Sequence, residues 1–178
     1  KEYILTVSTI SPRKNIDGLI KAFNMIKNKV NCNLIIAGKN GWMYEDIFKL
    51  VETLDLKNKI FFTGSINDDE LKFLYKNSKL FVYPSLYEGF GLPPLEAMSY
   101  GIPCIVSNRT CIPEVVGDAA IKVNPEDLYE VGNIIVEILK NKEMSSDLLS
   151  KANDRLKYFS WKKCSNGVVN IYLVKNKI

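Results

Sequence analysis

The chain has 178 residues, 47% of them hydrophobic, enough for one well-covered core and short for two, so a single domain is expected. Its net charge of +4 comes from 24 Lys and Arg scattered among 20 Asp and Glu; with no basic arm or stripe, nothing argues for nucleic acid, and only a modest attraction for anionic ligands remains. No apolar run approaches the roughly 18 residues of a membrane span, and Cys32, Cys104, Cys111 and Cys164 show neither CxxC spacing nor a secretion signal, so they read as buried or free thiols in a reducing, cytoplasmic setting.

The chain opens on KEYILTVS, without an initiator methionine and almost inside a strand, as expected of a domain cut from a larger protein. Strands are predicted at 3–8, 33–38, 59–64, 79–85, 103–107 and 120–124, most of them near-continuous apolar, as parallel strands covered on both faces are. Helical patterns fall between them at 16–28, 43–55, 68–77, 94–100 and 112–116. NDDE, Asn67 to Glu70, looks like a metal cluster but suits a capping box for the helix that follows, and no metal is expected. From about 127, Leu128, Val131, Ile134, Ile135, Ile138 and Leu139 form a stripe that should lie on the sheet. Helices at 143–158 and 161–174 close the chain, the last with Ser160 as its N-cap.

This alternation predicts an α/β domain: a doubly wound, six-stranded parallel sheet with helices on both faces. The common strand order 3-2-1-4-5-6 makes strands one and four neighbours, and ligands sit beyond the carboxyl ends of the strands at that reversal. The loops leaving those strands are STISPRKN, 8–15, and PSLYEGFGLPP, 84–94. In the second, Gly89 and Gly91 are read as positions of positive φ and close ligand approach. Pro93 and Pro94 suit a helix's first turn, whose free amides and dipole favour an anion such as phosphate. Glu88 and Glu96 would flank that point and accept hydrogen bonds from hydroxyls on either side. Across the cleft, Arg13 and Lys14 supply cations, and Asn15 is the expected N-cap of the next helix. Two sugar rings joined by a diphosphate match the arrangement. Trp42, Tyr44 and Tyr87 are aromatic candidates for a sugar or base pocket, with ordinary partial burial the plainer reading for the first two.

The string YPSLYEGFGLPPLEAMSYGIPCIVSN resembles the signature of the retaining, GT-B-fold nucleotide-sugar enzymes called glycosyl transferases group 1. VSTISPRKNIDGLIKAF, NLIIAGKNG, FFTGSINDDEL, PEVVGDAAIKVNPEDL and a closing FSW follow the family pattern in order. The resemblance covers 1–178 but only the C-terminal, donor-binding half of such an enzyme, one Rossmann-like half of the GT-B fold, with the acceptor-binding N-terminal domain absent.

The resemblance implies that Glu96 binds the ribose hydroxyls, Glu88 lies by the donor sugar, Lys14 holds the diphosphate, and the amides of Phe90, Gly91 and Leu92 touch sugar and phosphate. The turn Thr63 to Ile66, with Gly64 and Ser65, would border the base. The family commonly reads Gly-Arg where this chain has Ser8 and Thr9; Arg13 is the candidate to replace the missing arginine charge. The implied reaction is retaining hexosyl transfer from a UDP- or GDP-sugar, the PRKN loop favouring a mannosyl-type donor, to a glycan or glycolipid acceptor. Glu88 and Lys14 carry the chemistry, with no cofactor beyond the donor substrate. Retaining hydrolases place two carboxylates about 5 Å apart; Glu88 and Glu96 would engage different rings, so front-face transfer is expected instead. Histidine is absent from the chain, so any histidine base, the acceptor site and any attachment to the inner membrane face would belong to the missing half. The alternative is a non-catalytic nucleotide or nucleotide-sugar binding module. A nicotinamide dehydrogenase fails because the first loop has no GxGxxG.

Overall fold

The computed structural model describes residues 1–175; the last three residues of the domain expected over 1–178 lie outside that range. Six strands, β1 (Tyr3–Val7), β2 (Asn33–Ala37), β3 (Ile60–Gly64), β4 (Leu80–Tyr83), β5 (Cys104–Ser107) and β6 (Ile121–Val123), form one sheet in the order β3-β2-β1-β4-β5-β6. Every pairing is parallel. The helices are α1 (Ile16–Ile26), α2 (Glu45–Thr53), α3 (Asp68–Asn77), α4 (Leu92–Ser99), α5 (Ile112–Val116), α6 (Leu128–Lys140), α7 (Lys142–Leu156) and α8 (Trp161–Lys175). The expected topology is therefore present.

Two cores follow from the two-residue period of the strands. Ile4, Leu34, Ile36, Leu80, Val82 and Ile105 face one layer, with Leu19, Phe23 and Ile26 of α1 and Val131, Ile135 and Ile138 of α6. Leu5, Ala37, Phe81, Tyr83, Cys104 and Val106 face the other, with Tyr75 of α3, Leu95 and Met98 of α4 and Ala152 of α7. Covering both faces is what permits unbroken apolar strands, each buried Leu, Ile or Phe contributing about 1.5–3 kcal/mol relative to exposure. Cys32 and Cys104 are buried, Cys111 is half-buried and Cys164 is exposed, all as free thiols. Burial pushes the Cys32 thiol up to about 11.

Asn67 accepts hydrogen bonds from the amides of Asp69 and Glu70 while the Glu70 carboxylate accepts from the Asn67 amide, the expected capping box. Ser160 caps α8 through the Lys163 amide, at 3.1 Å. Two expectations differ. Helix α4 begins at Leu92, not 94, because prolines are tolerated at the second and third helical positions as well as the first, where no intrahelical N–H bond is lost. Glu96 therefore lies in the second turn. Asn15 stands at the start of α1 but in the left-handed region, φ 53°, and its side chain makes no cap.

Candidate functional site

Pairing of Ile4 with Leu80 and Leu5 with Phe81 sets β1 beside β4, so the loops after them meet. The first makes a short 3-10 turn, Pro12–Lys14. Asn15 then leaves its capping role because its Nδ2 has stronger demands elsewhere: it donates to the carbonyls of Pro84, 3.2 Å, and Pro125, 2.7 Å, both buried contacts. The Leu86 amide donates to the Arg13 carbonyl at 2.8 Å. These bonds join the first loop to segments 69 and 110 residues further along the chain into one wall, and the backbone carbonyls that accept from Asn15 would otherwise lose a buried donor.

Within that wall Lys14, Tyr83 and Glu88 form a closed triangle. Lys14 Nζ donates to Glu88 Oε1 at 2.5 Å and to the Tyr83 hydroxyl at 2.8 Å, and that hydroxyl donates to Glu88 Oε1 at 2.8 Å. Lys14 is 7%, Tyr83 2% and Glu88 8% exposed, so these are charge-assisted bonds in a poorly hydrated setting. Burial alone would raise the Glu88 carboxyl, but hydrogen bonds led by Lys14, together with its charge, outweigh it and hold Glu88 below the usual glutamate range. Arg13 Nη1, on the solvent side, lies 3.4 Å from Glu88 Oε2. The backbone of Glu88 is held from behind: its amide donates to Thr110 Oγ1 at 3.3 Å, and the Cys111 thiol donates to its carbonyl at 3.2 Å. Thr110 has φ 53°, a left-handed conformation costly for a β-branched residue.

Beyond Glu88 the chain turns into α4 through Gly91, at φ 92°, where a Cβ would stand 2.3 Å from Ile112 Cδ1. The positive φ is what calls for glycine there, since the close atom is the movable end of the Ile112 side chain. Gly89 differs from expectation: it is not among the positive-φ glycines, and a Cβ on it would meet open space. Close approach instead occurs at Gly38, φ 139°, whose missing Cβ would lie 2.1 Å from the Ser8 carbonyl. Its amide donates to the Gly64 carbonyl at 3.2 Å.

Arg13, Lys14, Glu88, Phe90, Gly91 and Leu92 line one cleft of about 450 Å³, together with Ser8, Thr9 and Gly38. The Ser8 Oγ is buried without a hydrogen-bond partner among the described residues. Glu96 lies just outside, in an adjoining hollow of about 310 Å³ that shares Phe90 and Leu92 with the cleft; its Oε2 accepts a 2.9 Å bond from the Tyr75 hydroxyl. Gly64 reaches the cleft only through Gly38, and Ser65 is exposed at the end of β3. Trp42 and Tyr87 are exposed, Tyr44 packs on Phe48, and none of the three lines the cleft. Tyr75, Tyr83 and Thr110 were not singled out by sequence reasoning. A tyrosine in an apolar strand reads as core, and only its unpaired hydroxyl requirement could have signalled more.

Cleft and adjoining hollow together offer a cation with two of its three N–H donors engaged among the described residues, backbone amides at a helix start and carboxylates on either side of Phe90, a set suited to a ligand carrying both phosphate and hydroxyl groups. The family described as Glycosyl transferases group 1 matches residues 1–155. The chain is 38% identical over 172 residues to the O-antigen chain mannosyltransferase B of Escherichia coli, covering 96% of this chain and 45% of that protein. It is 33% identical to the O-antigen chain mannosyltransferase RfbU of Salmonella typhimurium, covering 99% and 48%. It thus spans about half the length of these curated relatives. Among solved structures, sucrose-phosphate synthase of Thermosynechococcus elongatus superposes with a TM-score of 0.88 at 26% identity, over 99% of this chain and 46% of that one. The chain therefore belongs to the glycosyl transferases group 1 family, and its fold is that of one half of a GT-B glycosyltransferase.

Proposed function

We propose that this chain is the donor-binding half of a retaining hexosyltransferase that moves a mannosyl- or glucosyl-type group from a UDP- or GDP-sugar to a glycan or glycolipid acceptor. The observation that carries the reading is the meeting of Lys14 and Glu88, 2.5 Å apart, where the loops after β1 and β4 converge. The mannosyltransferase relatives favour mannose as the transferred sugar. The acceptor is assigned to a further domain, in keeping with the half-length match, and so is any contact with the inner membrane face. Among the described residues no helix is long and apolar enough to cross a membrane. A cytoplasmic setting is part of the proposal, since that is where the donor would be met.

The unengaged N–H of Lys14 and the amides of Phe90, Gly91 and Leu92 bind the diphosphate, with Arg13 adding charge at the rim. Glu88 accepts from donor-sugar hydroxyls through Oε2, Glu96 from the ribose, and the β3–α3 turn around Gly64 and Ser65 borders the base. Glu88 Oε1 is committed to Lys14 and Tyr83 and Oε2 is assigned to the donor-sugar hydroxyls, so a covalent glycosyl intermediate on Glu88 is disfavoured. In front-face transfer the bond from the anomeric carbon to the diphosphate oxygen breaks, and the bond to the acceptor oxygen forms on the same face. The departing diphosphate takes the acceptor proton, and Lys14 stabilises its growing charge. No metal or further cofactor is assigned.

Calorimetric titration with UDP, GDP, UDP-glucose, GDP-mannose and NAD tests the reading. A sugar nucleotide should bind in preference to NAD. Glu96→Ala should weaken bare and sugar nucleotides alike by about 1.5–3 kcal/mol, whereas Glu88→Ala should weaken the sugar nucleotide more. A preference for NAD, or no nucleotide bound at millimolar concentration, refutes the proposal. Binding without transfer by the complete enzyme leaves a non-catalytic binding module.

A further inference from the structure

Each of the two glutamates has one carboxylate oxygen bonded to the hydroxyl of a buried tyrosine from a different element. Tyr83, at the end of β4, donates to Glu88 Oε1 at 2.8 Å; Tyr75, in α3, donates to Glu96 Oε2 at 2.9 Å. The tyrosines are 2% and 1% exposed. They belong to one aromatic column: Tyr75 packs on Phe81 with ring centroids 5.8 Å apart, Phe81 on Tyr83 at 6.0 Å, and Tyr100 stacks on Tyr75 at 5.4 Å. A phenylalanine at 75 or 83 would fill the same space and keep that packing, so packing alone does not require either hydroxyl.

We propose that Tyr83 and Tyr75 are positioning residues of the donor site, each fixing one glutamate so that its second oxygen is presented to the ligand. The assignment rests on the donor reading above. Glutamate has three rotatable torsions, and an unanchored carboxylate would lose that freedom only on binding. With Oε1 of Glu88 pinned between Tyr83 and Lys14, Oε2 remains on the Arg13 side. With Oε2 of Glu96 bonded to Tyr75, Oε1 remains for a hydroxyl. The common column gives both anchors one rigid base, so the relative placement of the two acids is set by packed aromatic rings instead of by the loop between them.

Tyr83→Phe and Tyr75→Phe, titrated with GDP, GDP-mannose, UDP and UDP-glucose, test this on the chain itself. Tyr83→Phe should lose about tenfold in affinity for the preferred sugar nucleotide and little for its bare nucleotide. Tyr75→Phe should lose about tenfold for both, because the nucleotide carries the ribose. A second readout is pH. Glu88 is faced by Lys14 and Arg13 of the first loop and Tyr83 of β4, and loss of the Tyr83 hydroxyl removes one of the bonds that hold the Glu88 carboxyl down. The acid limb of sugar-nucleotide binding should therefore move to higher pH in Tyr83→Phe and stay in place in Tyr75→Phe. Equal losses for all ligands in both variants, or unchanged affinity with an unchanged acid limb, overturn the inference while leaving the donor reading intact. Failure of the unsubstituted chain to bind any nucleotide overturns both. Should a phenylalanine variant not fold, difluorotyrosine at 83, a stronger donor of the same shape, should move the limb to lower pH, and an unmoved limb counts against the proposal.

Discussion

Two of the three N–H donors of Lys14 are taken by Glu88 and Tyr83 before any ligand arrives. Removing the lysine therefore strands a buried carboxylate as well as weakening anion binding. Lys14→Ala should cost about 3–5 kcal/mol of stability, the range for breaking a buried ion pair from one side, with urea unfolding as the measure. The pair also dictates a pH response. The folded Glu88 carboxyl is depressed, so the stability it contributes is fully present above the ordinary glutamate value of about 4.3 and is lost as pH falls from there through the lower folded value. In Lys14→Ala that acid-limb loss should shrink; parallel losses in variant and parent between pH 7 and 3 would show that the pair does not set Glu88. The charged members of this triangle were legible in the sequence, because acids and cations flanking glycines and prolines at a strand end have few core-packing explanations. Tyr83 was not. Within FVYPS its ring meets every requirement of a buried strand position, and the hydroxyl's partners come from two loops that the sequence does not place at atomic scale.

At the level of elements, strands and long helices were readable because apolar runs and stripes state which faces are covered, and the α3 capping box was readable because both of its bonds are local. Misreadings fall where local preference competes with tertiary bonds. Asn15 has the right side chain for a cap, yet its amide ties the first loop to Pro84 and Pro125. Asn15→Ala should then do more than an N-cap loss of about 1 kcal/mol. It leaves buried carbonyls without donors, about 1–3 kcal/mol for each group, and places alanine at φ 53°. Asn15→Gly, which accepts that φ, isolates the tie from the strain and should recover part of the loss. Unfolding free energies for the two variants measure the split, and a full recovery by glycine would mean that the ties contribute nothing. Affinity for the preferred sugar nucleotide should fall in both, since Arg13 and Lys14 are carried by the same loop.

For the whole molecule, the alternation of strands and helices pointed to a parallel sheet covered on both faces, and its strand order followed the commonest doubly wound arrangement. What periodicity could not say is which helix has something to pack on. Ser160 starts α8 as read, but every residue from Trp161 to Leu173 is exposed, including Val168, Val169, Ile171 and Tyr172. Its first turn, through Trp161 and Cys164, borders the hollow by Leu92 and Glu96, and a helix of this length with so little tertiary support is marginal in water. Hydrogen exchange should therefore find the amides of 161–173 nearly unprotected in the monomeric chain, while those of α6, with Val131, Ile135 and Ile138 in the core, approach global protection. Truncation after Ser160 should correspondingly change unfolding free energy by no more than about 0.5 kcal/mol, as for surface changes away from packed features. Strong protection of α8 that disappears on dilution would instead mean that a second copy covers its apolar residues, and a larger loss on truncation would mean that the helix supports the sheet domain directly.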